Sequence, residues 1–118
     1  MQKILIVDDE KTICEFISDF LKDCYKVNHT DDISIAYDLF LIDDFDLIIT
    51  DYSMSKGSGI ELIERVKKED ESFPIILMSG FLPSDLLSTL SKGFPRVYTL
   101  QKPFEFMKLK NIIDRCFD

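Results

Sequence analysis

Four positions in this chain set a reactive polar group at the end of an apolar run. "ILIVDDE" (residues 4–10) delivers Asp8, Asp9 and Glu10, and "LIITD" (47–51) ends on Asp51. "IILMSG" (75–80) ends on Ser79, and "YTLQKP" (98–103) leads into Lys102. Carboxylates, a hydroxyl and an ammonium are the parts of a phosphoryl-transfer site: a carboxylate nucleophile, acids for a hard cation, and donors for phosphoryl oxygens. Carboxylates crowded together raise one another's pKa values, and a divalent cation relieves that cost. With no His or Cys beside the acids, Mg²⁺ or Mn²⁺ suits them better than zinc. The plainer alternative is that Asp9 caps a helix while Asp8 and Asp51 are solvated turn acids. The choice depends on whether the fold brings the strand ends together.

Five apolar runs carry or flank these residues: 3–8, 25–29, 46–50, 74–79 and 96–100. The first, third and fourth are continuous, as in strands buried on both faces, and the second and fifth are mixed, as in edges. Between them lie stretches of helical period at 10–23, 33–42, 58–69, 84–92 and 105–117. In the first, Ile13, Phe16, Ile17, Phe20 and Leu21 share a face expected to meet the core. Ser58 and Ser84 are expected N-caps of the third and fourth helices. Repeated strand–helix alternation implies right-handed crossovers and a parallel sheet. The expected fold is α/β: a flavodoxin-like (βα)5 three-layer sandwich with strand order 2-1-3-4-5. That order makes strands one and three neighbours at the switch point, where ligands bind. Asp8, Asp9 and Asp51 then converge, with Ser79 and Lys102 nearby.

The remaining features narrow the function class. A formal net charge of −8 opposes nonspecific nucleic-acid binding by this chain. No apolar run approaches the ~18 residues that span a bilayer, so no membrane role is expected. The acids of "MQKILIVDDE" do not fit a signal peptide, and a soluble, cytoplasmic protein is the expectation. Three cysteines without a CxxC pair, Cys14, Cys24 and Cys116, fit a reducing compartment. The single His29 cannot form a metal site alone. One domain over 1–118 is expected, with nothing sizeable before Met1.

Taken in order, "VDDE", "DLIITD", Gly59 eight positions later, "ILMSG" and "LQKPF" make the whole chain resemble the receiver domain of two-component response regulators, in particular chemotaxis-type regulators. The resemblance implies that Asp51 is the phosphoacceptor, forming an aspartyl phosphate. It implies that Asp9 binds Mg²⁺ directly, Asp8 largely through water, and Ser53 through its backbone carbonyl. Ser79 and Lys102 would hold phosphoryl oxygens, with backbone amides near Tyr52 and Gly80 completing the cradle. The chain would not be an enzyme in the usual sense, but a phosphoprotein that assists its own phosphorylation and dephosphorylation. Its phosphodonor would be a histidine kinase or histidine phosphotransfer protein, docking on the first helix and the loops around Asp51, with specificity in residues such as Lys11, Thr12 and Glu15. Output to a downstream effector protein or domain would pass through the fourth and fifth helices and strand five, a face compatible with a homodimer.

Three departures from the family pattern stand out. Ser55 occupies a position where Pro is common, so the "SKGSG" loop is expected to be looser than usual. Thr99 replaces an aromatic three residues before the Lys, and Tyr98 should face the other way. Phe81, where relatives are often polar, is expected to shield the aspartyl phosphate from water. A haloacid-dehalogenase-type phosphohydrolase is disfavoured by Ser53, which stands where that family needs a second acid. A flavodoxin, a dinucleotide site at "GSG" and an EF-hand at 43–51 each lack required residues. A receiver working without phosphorylation is disfavoured because Asp8, Asp9, Asp51 and Lys102 are all present.

Overall fold

The computed structural model describes residues 1–81 and 83–118. Strand β1 (Lys3–Val7) leads to helix α1 (Lys11–Leu21), β2 (Lys26–Thr30) to α2 (Ile33–Ile42), and β3 (Leu47–Asp51) to a short hairpin, β4 (Ser53–Met54) and β5 (Gly57–Ser58). Helix α3 (Gly59–Glu69), β6 (Ile75–Ser79), α4 (Ser84–Gly93), β7 (Val97–Gln101) and α5 (Phe106–Cys116) complete the order. The main sheet is parallel, in the order β2-β1-β3-β6-β7. With the hairpin set aside, this is the expected 2-1-3-4-5 sheet.

Strand alternation sorts the core into two layers. Ile4, Ile6, Leu47, Ile49, Ile76 and Met78 meet α1 and α5 through Cys14, Ile17, Leu21, Leu109 and Ile113. Leu5, Val7, Ile48, Ile75 and Leu77 face the opposite layer, with Ile33, Ala36, Leu62, Ile63, Val66 and Leu90 from α2, α3 and α4. Central strands β3 and β6 are buried along their whole length, whereas β2 is mostly exposed. Burial on both faces is why the central runs read as continuously apolar.

Several local expectations are corrected. Phe16 and Phe20 do not enter the core: Phe16 is 57% exposed and Phe20 37%. The inward stripe of α1 is Cys14, Ile17 and Leu21, at i, i+3 and i+7, and the two phenylalanines lie on its shoulder. Ser58 does cap α3, accepting from the Glu61 N–H at 3.3 Å. Ser84 does not cap α4, because Pro83 holds the N-cap position and Ser84 is already helical. Asp32 is an N-cap the sequence reading missed; its carboxylate accepts from Ser34 and Ile35.

At the end of the sheet opposite Asp51, Lys67 is buried on α3. Its ammonium donates to the carbonyls of Glu71 (3.0 Å), Phe73 and Pro95, tying the end of α3 to the loop before β7. Burial pushes its pKa down to about 8. Replacing Lys67 with Met strands these carbonyls, and a loss of about 2 kcal/mol is expected in chemical denaturation. A Lys67→Met protein as stable as the wild type would show that the carbonyls find other partners.

Candidate functional site

The carboxyl ends of β1, β3, β6 and β7 converge on one edge of the sheet, each delivering the residue that follows or ends its apolar run. Val7 pairs with Thr50 across β1 and β3, and Asp51 with Met78 across β3 and β6. This register brings carboxylate oxygens of Asp8, Asp9 and Asp51 within 4.8 Å of one another. Asp8 and Asp51 are buried and Asp9 is exposed. The Lys102 N–H donates to the Ser79 carbonyl at 2.7 Å, which prolongs the β6–β7 pairing and brings the lysine to the acids. The Lys102–Pro103 peptide is cis.

Lys102 is the electrostatic centre of the cluster. Its ammonium lies 2.9 Å from Asp8, 3.5 Å from Asp51 and 3.6 Å from Glu10. Asp8, whose side chain is fully buried, also accepts from the Glu10 N–H at 2.9 Å. The expected placement of Lys102 opposite the acids is thus sharpened into direct contact with Asp8. Burial works against the Lys102 charge, but Asp8, with Asp51 and Glu10, outweighs it and raises the lysine above its usual value. Burial raises Asp51 above 3.8; Lys102 pulls it back down and Asp8 adds to the rise. An acid whose pKa is shifted by burial and by a specific charged neighbour marks a candidate reactive group.

The backbone around Asp51 is fixed by close packing. A Cβ at Gly59 would come within 2.4 Å of the Asp51 carbonyl oxygen and 2.7 Å of Leu77. Only glycine fits there, which gives the spacing from Asp51 to Gly59 a physical cause. The Gly59 N–H donates to the Tyr52 carbonyl at 2.9 Å, closing the loop on itself. Between them the "SKGSG" stretch folds into the β4–β5 hairpin, turning at Gly57 with φ +109°. The stretch expected to be loose is paired in this hairpin, and the Ser55 N–H also donates to Asp9 Oδ2 at 2.9 Å. Asp9 does not cap α1, whose N-cap position belongs to Glu10 without a side-chain bond.

Ser53 is exposed and opens the hairpin two residues after Asp51. Ser79 is buried at the end of β6, with its hydroxyl donating to the Phe81 carbonyl (2.8 Å) and accepting from the Phe81 N–H (3.1 Å). The Tyr52 N–H donates to Met78 at 2.8 Å while also favouring the Asp51 anion. Thr99 is exposed and, with Phe81, Leu87 and Gln101, lines a cavity of about 230 Å³. Tyr98 points to the opposite layer, under the Arg115 guanidinium at 5.7 Å. Burial pushes the Cys14 and Cys116 thiols up to about 11, and Cys14 donates its S–H to the Asp8 carbonyl at 3.4 Å.

Two contributions go beyond the sequence reading. Glu10, read there only as the acid that follows Asp8 and Asp9, joins the Lys102 cluster. An apolar groove of about 430 Å³ opens beside the acids, bounded by Glu10, Lys102, Ile13, Phe16, Phe104 and Phe106. Phe20 stacks on Phe106 with ring centres 4.7 Å apart, extending this surface.

As a donor set, three clustered carboxylates without nitrogen or sulfur ligands fit a hard divalent cation such as Mg²⁺. Among the described residues, no helix is long and apolar enough to cross a membrane.

Comparison with known proteins agrees with this geometry. The family profile described as the response regulator receiver domain matches residues 4–114. The response regulator receiver protein CpdR of Brucella abortus (strain 2308) is 31% identical over 117 residues, spanning 98% of this chain and 96% of that protein. The solved structure of chemotaxis protein CheY4 from Vibrio cholerae superposes with a TM-score of 0.89 at 26% identity, covering 98% of each chain. Response regulator TrrA of Thermotoga maritima, solved in complex with Mg²⁺ and beryllium fluoride, has a TM-score of 0.85 at 30% identity, covering 98% of this chain and 99% of that one.

Proposed function

Because this chain belongs to the response regulator receiver domain family of two-component signalling, we propose that residues 1–118 form one phosphorylation-activated switch, with Asp51 as its phosphoacceptor. The observation that carries this reading is the position of Lys102, 2.9 Å from Asp8 and 3.5 Å from Asp51, within a cluster of three acids. An Asp51 carboxylate oxygen bonds to phosphorus as the N–P bond of a phosphohistidine breaks. The electron pair stays on the imidazole nitrogen, which takes up a proton. The product is an acyl phosphate, whose reactivity makes it a timed signal.

Asp8, Asp9, Asp51 and the Ser53 carbonyl would hold Mg²⁺, which when bound supplies positive charge against the incoming phosphoryl group. Lys102 screens Asp51 and takes a phosphoryl oxygen. Ser79 turns its hydroxyl from the Phe81 backbone to another. Gly59 and the β3–β6 pairing hold the nucleophile in place, and such positioning contributes much of the rate in phosphoryl transfer. The TrrA complex supports this reading, since it holds Mg²⁺ and beryllium fluoride on a similar fold. Labelled phosphate moving from acetyl phosphate to a hydroxylamine-labile bond on the protein tests the reading directly. A protein that remains unlabelled with Mg²⁺ present would rule it out.

Receiver domains work with histidine kinases and downstream effectors. The docking surface proposed here for the phosphodonor is the groove beside Lys102, with Phe16 as an exposed apolar anchor. This explains why α1 leaves two phenylalanines outside the core. Phe16→Asp is expected to lower kcat/KM for transfer from a phosphorylated histidine phosphotransfer protein by about tenfold. Its uptake from acetyl phosphate should be unchanged, because a small donor does not need the groove. Equal losses with both donors would place the defect in the site instead. Output to an effector is assigned to the face of α4, β7 and α5.

A further inference from the structure

We propose that the main-chain amide of Ser55 is a positioning group that orients Asp9 for the divalent cation, an inference that rests on the metal-assisted reading above. The amide donates to Asp9 Oδ2 at 2.9 Å, joining the hairpin turn to the loop after β1. The other two acids are already restrained by burial and by Lys102. Asp9 is exposed, so its carboxylate is the one whose rotation would otherwise have to be stilled when a cation binds. An ionised carboxylate offers about four lone-pair sites, so one N–H on Oδ2 leaves Oδ1 free for a metal. The bond therefore orders the ligand without using it up. Groups that orient a metal ligand in this way affect affinity by roughly 10–100-fold.

This device is available only because residue 55 is not proline. Ser55 and Lys56 form the turn between Met54 and Gly57. Among the described residues, Gly57 and Arg96 have positive φ and Ser55 does not, and Ser55 is the first of the two turn residues, a position that proline commonly takes in tight turns. A proline here would keep the turn and lose the donor. The hairpin is held independently by the Ser53–Ser58 and Met54–Gly57 pairs and by the Gly59 amide on Tyr52. Two substitutions thus separate the amide from everything else about the residue. Ser55→Pro removes the N–H, and Ser55→Ala removes only the hydroxyl.

The test is calorimetric titration of the full chain with Mg²⁺ and Mn²⁺, together with amide hydrogen exchange of the metal-free protein. Ser55→Ala should bind as the wild type does, and Ser55→Pro about tenfold more weakly. In the metal-free protein, Asp9→Ala should speed exchange of the Ser55 amide, a readout that needs neither metal nor phosphate. Unchanged affinity in Ser55→Pro, or an equal loss in Ser55→Ala, would overturn the assignment. Should Ser55→Pro fail to fold, Ser55 exchange that is indifferent to Asp9→Ala would overturn it as well. A wild-type protein that binds neither cation would instead overturn the metal-assisted reading of the site, and this inference with it.

Discussion

Asp51→Asn is expected to take up no phosphate from acetyl phosphate with Mg²⁺ present, while the wild type is labelled on one hydroxylamine-labile group. An amide is not a nucleophile toward phosphorus, and the two neighbouring carboxylates are held differently from Asp51. Asp8 is fully buried and bonded to Lys102 and the Glu10 amide, and Asp9 is exposed. Labelling that persists in Asp51→Asn would move the nucleophile to one of them. The same substitution should change stability in a way that depends on pH. Burial raises the folded-state pKa of Asp51 above its usual 3.8. Below pH 3.8 the carboxyl is neutral in both folded and unfolded chains, and burying it costs little. As pH rises through the raised value, the folded protein must ionise a buried acid, so its stability falls. In EDTA, the wild type should therefore lose stability relative to Asp51→Asn across that window and stay below it at neutral pH. A stability gap between the two that does not vary with pH would show that Asp51 ionises as easily in the fold as outside it.

The second large effect is expected at Lys102. Lys102→Met removes the cation nearest to a fully buried Asp8 and leaves Asp51 and Glu10 beside it. Breaking a buried ion pair from one side costs about 3–5 kcal/mol, because the remaining charge is stranded. At about 4 °C per kcal/mol for a chain of this size, the metal-free variant should melt at least roughly 12 °C below the wild type. Mg²⁺ should narrow that gap, since a cation bound by the same acids replaces part of the missing charge. Phosphate uptake should not recover with it. Lys102 also acts on the phosphoryl oxygens, and losing such a group costs roughly 10²–10³-fold in rate. Thermal melts in EDTA and in Mg²⁺, paired with uptake rates, separate the two roles. If Lys102→Met melts with the wild type in EDTA, the acids are solvated or protonated, and Lys102 does not hold them.

The strand–helix alternation was legible from period alone because it is a local property. Continuous apolar runs mark β1, β3 and β6, and α2 begins and ends where its spacing placed it. The convergence of Asp8, Asp9, Asp51, Ser79 and Lys102 was legible for a related reason: parallel βα units send every strand's carboxyl end to the same edge. Helix faces were less legible. The α1 stripe was assigned by counting large apolar residues, which overlooked Cys14 and placed Phe16 and Phe20 inside. Composition cannot tell a core phenylalanine from one left at the surface, since both are apolar at helical spacing.

Residue types and their order along the chain were sufficient for the fold, the family, and the set of groups that could act together. These depend on local periodicity and on a topology with few alternatives. Which group faces which depended on the packed structure. Lys102 on Asp8, Ser79 on the Phe81 backbone, Lys67 on the Glu71, Phe73 and Pro95 carbonyls and the Ser55 amide on Asp9 all join residues remote in sequence or turned by a local bend. Hydrogen bonds are decided at ångström precision, after strands have paired and helices have packed. The opening segment of the β3 loop shows the difference most clearly. In sequence, Ser55 is a missing proline that suggests slack; in the fold, its N–H is the bond that ties the loop to Asp9.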